Sequence, residues 1–151
     1  MLSAALVSRE YKIYLKKRLS ECEGFLSFLT HIRIEIGCFL RPIKELCASF
    51  ESEALYEAGF LGALSESENI YEAYKKCEAS LSLDGDEKRV LETLFINLGE
   101  GYLNDGVRLI DAAHEKMEEL TAAERERSAK NIKLATVLSV TASLGFFMLV
   151  I

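Results

Sequence analysis

Apolar positions along this chain recur at spacings of three and four, the repeat of one helical face, rather than in the alternation of a half-buried strand. Between Tyr11 and Ile36 the residues Leu15, Leu19, Cys22, Leu26, Leu29 and Ile36 form such a stripe. Intervals alternating between four and three describe the seam of a long helix against an antiparallel neighbour. Arg33 falls on that seam, with Ile32 alongside. Pro42 then interrupts. Proline suits the first turn of a helix, so a new helix carrying Ile43, Leu46 and Phe50 is expected to open there. "SESEALYEAGFLGAL" reads as one short helix, capped by Ser52 and ended near Gly62, and "SENIYEAYKKCEASL" as another, with Ile70, Tyr74 and Cys77 at helical spacing. Asp84 or Asp86 caps the next helix, where Val90, Leu91, Leu94, Phe95, Leu98 and Tyr102 give a wide apolar stripe. The last long helix starts near Asn104 or Asp105 and carries Val107, Ile110, His114, Met117 and Leu120. No strand is needed. Two long terminal helices flank short central ones in an all-α, compact helical bundle.

Past Ala123 the stripe fades into "ERERSAKNIK", a polar stalk, and from Leu134 to Ile151 no residue is charged. Eighteen residues at about 1.5 Å each cover about 27 Å, close to the roughly 30 Å of a bilayer's hydrocarbon. Apolar side chains there point in every direction of the helical wheel, whereas a helix of a small water-soluble domain must turn one face to water. The expected organisation is an apolar stub over residues 1–8, a cytoplasmic helical bundle over 9–123, a charged juxtamembrane stalk over 124–133 and a transmembrane helix over 134–151.

Composition sharpens this picture. A single Pro, no Trp and an abundance of Leu, Ala, Glu and Lys suit helices. A net charge of −6 argues against general nucleic-acid binding, which needs a basic surface to displace counterions. The charge is unevenly spread. Arg9, Lys12, Lys16, Lys17, Arg18, Arg33, Arg41 and Lys44 face only four Glu over residues 1–44, residues 45–124 are acidic, and Arg125, Arg127, Lys130 and Lys133 abut the apolar tail. Basic residues favour the cytoplasmic side and anionic lipid, so Lys16, Lys17, Arg18, Arg125, Arg127, Lys130 and Lys133 are the expected membrane-interface residues, with both basic ends at one pole. "MLSAALVS" does not read as a signal peptide, being short and followed rather than preceded by its charges.

Chemistry finds little foothold. Cys22, Cys38, Cys47 and Cys77 include no C-x-x-C pair and read as small apolar core residues in a reducing compartment. Only two His, His31 and His114, are present, so no zinc-ligand spacing exists. His114 lies on an apolar stripe as a seam residue, and Glu118, Glu119, Asp84 and Asp86 read as solvated faces and caps. There is no G-x-S-x-G elbow and no phosphate-cradling G-x-x-x-x-G-K-[ST] loop, and "GEGYLNDG" reads as a turn. The expectation is no enzyme, no metal, no cofactor and no small-molecule substrate.

The chain resembles the stage III sporulation protein AB family. The likeness runs through "LSFLTHIRIEIGCFLRPIKEL", with Glu35, Ile36, Pro42 and Leu46 in place, through "NIYEAYKKC" and "DGDEKRVLETLFINLGEGY" with its Leu98-Gly99 pair, and into the stalk and terminal apolar helix. The resemblance implies a protein of the mother-cell membrane facing the forespore, with most of the chain cytoplasmic and its C-terminus on the far side. It implies a scaffold of a sporulation-specific, secretion-like complex, similar to the helical domain of type II secretion and type IV pilus platform proteins. Membrane lipid, a secretion-type ATPase and other subunits of the complex are the implied partners, with Leu98, Gly99, Tyr102 and Asp105 as a partner-docking loop. Two features depart from the family pattern. Tyr102 and Gly106 stand where it shows Asp and Gln, and "MLSAALVS" stands where it shows a membrane segment. Outside the family, the alternatives are a tail-anchored adaptor or tether, and a water-soluble helical enzyme with its tail packed inside.

Overall fold

The structure is a computed structural model that describes residues 2–39, 45, 48–100 and 103–150, with side chains described for 9–36, 45, 48–98, 105–134, 136–138 and 141. Its helices are α1 (Leu2–Phe39), α2 (Glu53–Glu57), α3 (Phe60–Glu66), α4 (Ile70–Cys77), α5 (Gly85–Glu100) and α6 (Leu103–Val150), with a 3-10 turn at Glu78–Ser80. No strand occurs among the described residues. The chain divides into two compact units, Met1–Thr121 and Ala122–Ile151.

In the first unit, α1 begins at Leu2 rather than near Tyr11. "LSAALVSRE" contains neither Gly nor Pro and is rich in strong helix formers, so nothing stops the helix before its apolar start. The segment expected as one helix from Ser52 to Gly62 is two. Ser52 does cap α2, its Oγ accepting from the Leu55 amide at 3.4 Å. The break falls at Gly59, which adopts the left-handed φ of 83° that favours glycine. Asn69 caps α4 through the Glu72 amide at 2.8 Å. The helix expected to open at Pro42 falls mostly outside the described residues.

The core is aromatic at its centre. Phe28 meets Phe60 and Phe50 edge-on, each at 5.3 Å between ring centroids, and Phe25, Phe95 and Tyr74 complete the set. Tyr74 donates its hydroxyl to the Lys88 carbonyl at 3.0 Å, so the phenol is satisfied although buried. Gly24 lets α2 approach α1: a Cβ there would stand 3.0 Å from Leu55 Cγ.

Within the first unit α1 and α6 run antiparallel, as the seam predicts. Arg33 pairs with Asp111, Thr30 Oγ1 lies 3.2 Å from His114 Nε2, and Cys22 lies beside Thr121. Arg33 stands at this seam, half-exposed and paired with Asp111, and the adjoining face of Cys22, Phe25, Leu29 and Ile32 is buried.

In the second unit α6 continues without interruption to Val150. Among the described residues no helix is long and apolar enough to cross a membrane. The span expected over residues 134–151 falls mostly on side chains outside the described set. Of those described, Leu134, Val137 and Leu138 are exposed, as is Ile132 just before them.

Candidate functional site

The charged groups of the first unit converge where α1 meets the loop before α5. Glu21 stands four residues before Phe25 and seven before Phe28, which turns its side chain toward the core, and it is 1% exposed. Its Oε2 accepts from the Ser82 amide at 2.6 Å. Its Oε1 is buried without a hydrogen-bond partner, and the nearest cation, Lys17 Nζ, is 3.9 Å away. Burial raises the Glu21 carboxyl above its ordinary pKa of 4.5, against the opposing pull of the Ser82 amide and Lys17.

One turn earlier Arg18 reaches Glu87 through Nε at 3.3 Å and Nη2 at 3.0 Å, and Asp84 through Nη2 at 3.3 Å. Glu87 also accepts from the Asp84 amide at 2.8 Å, as in a capping box, while the Lys88 amide donates to the Asp84 carbonyl at 2.9 Å. Tyr14 donates to the Ser82 carbonyl at 3.2 Å. Together these bonds pin residues 82–84 against α1. Cys22 sits beside them, its thiol pushed up to about 12 by burial and then by Glu87, and burial carries Cys77 to about 11. Neither is a thiolate near neutral pH, so neither is a nucleophile.

Of the expected membrane-interface residues, Lys16 and Lys17 are exposed. Arg18 is the exception: its side chain is only 12% exposed and holds Glu87. Glu87, itself 2% exposed, needs a charge partner where water does not reach, and Arg18 supplies it. Arg125, Arg127, Lys130 and Lys133 are exposed in the second unit, where Lys130 bonds Glu126 at 2.7 Å.

The expected docking loop joins α5 to α6. Leu98 packs against the core, Gly99 lies in the last turn of α5, Asp105 is exposed in the first turn of α6, and Tyr102 lies outside the described residues. Gly106 is buried and packs near Leu98. His114 lies in the α1–α6 seam, and His31 Nε2 is 3.3 Å from Ser49 Oγ, its ring against Phe50. No group of three or more His, Cys, Asp or Glu among the described residues is placed to hold a metal ion.

Clefts open on the first unit. One, of about 570 Å³, lies between α1 and α2 and is lined by Ile13, Lys16, Lys17, Ser20, Glu21, Glu53 and Glu57 among others. A second, of about 540 Å³, lies around Phe50, Tyr56 and Leu61. A shallower apolar groove of about 320 Å³ runs between α5 and α6 over Val90, Leu94, Leu109 and Ala113. Sequence reasoning passed over Glu21, Arg18 and Glu87 as a linked set. The signals were present: Glu87 follows Asp84 by the capping-box interval, and Glu21 shares the phase of Phe25 and Phe28.

No curated protein and no solved structure matches the chain. The family model for stage III sporulation protein AB matches residues 1–151, the whole chain. An all-helical bundle with long first and last helices thus carries that family's pattern from end to end, and the chain belongs to the stage III sporulation protein AB family.

Proposed function

We propose that this protein is a non-enzymatic, membrane-anchored platform subunit of a sporulation-specific, secretion-like complex connecting mother cell and forespore. The observation that carries the reading is the family match over residues 1–151. In this reading the bundle lies in the mother-cell cytoplasm and offers its surface to a secretion-type ATPase and to other membrane subunits.

The anchor is the apolar end of α6. Leu134, Val137 and Leu138 are 60%, 58% and 67% exposed, an arrangement unfavourable in water and favourable in lipid. Thr136 and Thr141 donate their hydroxyls to the Ile132 and Val137 carbonyls at 2.8 and 2.9 Å, so neither needs water to satisfy it. Arg125, Arg127, Lys130 and Lys133 then stand at the cytoplasmic lipid surface.

Deleting the gene in its spore-forming host is expected to arrest spore development after engulfment. A photo-crosslinking residue at exposed Ile96 is expected to trap neighbouring subunits. Normal sporulation of the deletion strain would overturn the proposal.

A further inference from the structure

Glu21, one of the residues lining the cleft between α1 and α2, holds a buried acceptor without a hydrogen-bond partner. Glu21 is 1% exposed, and its Oε1 has no hydrogen-bond partner. A buried carboxylate oxygen left unpaired is costly, and such groups are normally satisfied. Lys17 Nζ, 3.9 Å away, is beyond hydrogen-bond distance, and its side chain is 50% exposed on a flexible stem. Across the cleft, α2 contributes Glu53 and Glu57, both exposed. These three carboxylates outnumber the two lysines at the same cleft, Lys16 and Lys17, by one. The space, about 570 Å³, is large enough for a long side chain.

We propose that this cleft receives an arginine side chain of a partner polypeptide, whose guanidinium displaces Lys17, donates to Glu21 Oε1 and is flanked by Glu53 and Glu57. Guanidinium suits the place better than ammonium. It is planar, carries five donors, can bridge carboxylates on facing walls and is the more weakly hydrated cation. Ile13 and the Ala54 methyl give its methylene stem an apolar path. The occupant is a positively charged segment of another protein, so the inference rests on the reading of this chain as a docking scaffold and names the chemistry of one contact.

The test uses the purified full-length chain in detergent, titrated with the blocked tripeptide acetyl-Gly-Arg-Gly-amide and followed by NMR at the Ser82 amide, which donates to Glu21 Oε2. The same tripeptide with citrulline, shaped like arginine but neutral, is the control. A saturable Ser82 shift with arginine and none with citrulline is expected. Glu21→Gln is expected to weaken binding about tenfold, the scale of one charge-assisted hydrogen bond. Glu57→Gln should weaken it severalfold, and Lys17→Met, which removes the resident cation, should tighten it. Should Glu21→Gln fail to fold, the exposed substitutions Glu57→Gln and Lys17→Met carry the test. Absence of a saturable shift, an equal response to citrulline, or affinity indifferent to both glutamates would overturn the inference. Each of these outcomes leaves membrane anchoring standing, because extraction from vesicles measures that separately.

Discussion

Two buried glycines respond oppositely to the same added methyl. At Gly24 a Cβ would meet Leu55 Cγ at 3.0 Å and Ser52 Oγ at 3.1 Å, so the α1–α2 contact must open; Gly24→Ala is expected to cost about 1–3 kcal/mol. At Gly106 the nearest atom is Leu98 Cδ2 at 3.6 Å, ordinary contact, and the helix gains from losing a glycine. Gly106→Ala is expected to add about 0.5–1 kcal/mol of stability, and urea unfolding of both variants checks the pair. Titration divides residues in the same way. Glu21 has its pKa raised in the fold, so it favours folding below 4.5 and loses that contribution as pH rises through its folded value. Asp111 has its pKa lowered, chiefly by its hydrogen bonds to Arg33, so its contribution is present at neutral pH and fades as pH falls through the folded value. Glu21→Gln is therefore expected to be more stable than wild type at neutral pH, the difference shrinking on acidification. Denaturation curves at a series of pH values would show a constant difference if the Glu21 pKa were the same folded and unfolded.

Among the elements, the short helices owe their limits to local chemistry. Ser52 and Asn69 cap α2 and α4, and replacing either by Ala is expected to cost about 1 kcal/mol. The start of α5 depends on a longer connection, because Glu87 caps from within the helix while Arg18 of α1 neutralises it. Arg18→Met leaves that carboxylate buried without its cation, and about 3 kcal/mol of destabilisation is expected by thermal or urea unfolding, far more than an exposed pair such as Lys116–Glu119 would show. The helical pattern, the caps at Ser52 and beside Asp84, and the antiparallel seam were legible in the sequence, since periodicity and cap preference are local. The break at Gly59 was not, because Gly59 and Gly62 look alike until φ shows which one is left-handed. Nor was the conversion of Arg18 from a surface cation to an internal one. Residues 18 and 87 are far apart in sequence, and no periodicity joins them.

For the whole molecule, the family assignment implies a role in sporulation, and the proposal of a platform depends on where the chain resides. The 48 residues of α6 include both the half of the seam that faces α1 within the first unit and the apolar stretch of the second. Packing against α1 accounts for the former. Lipid is the solvent that would account for Leu134, Val137 and Leu138. A charge in such a stretch costs about 2.5–3.5 kcal/mol on insertion when placed near its centre, so Leu144→Asp is expected to shift a measurable fraction of the protein out of the membrane. The arginine cleft and the docking reading both presuppose a folded bundle presented to other proteins, and the helical core around Phe28 supplies that independently of the anchor. The most direct measurement is alkaline carbonate extraction of vesicles carrying the full-length chain beside a version ending at Lys133. The full chain is expected to stay in the pellet and the shortened one to be released. Release of both into the supernatant would contradict membrane anchoring through α6.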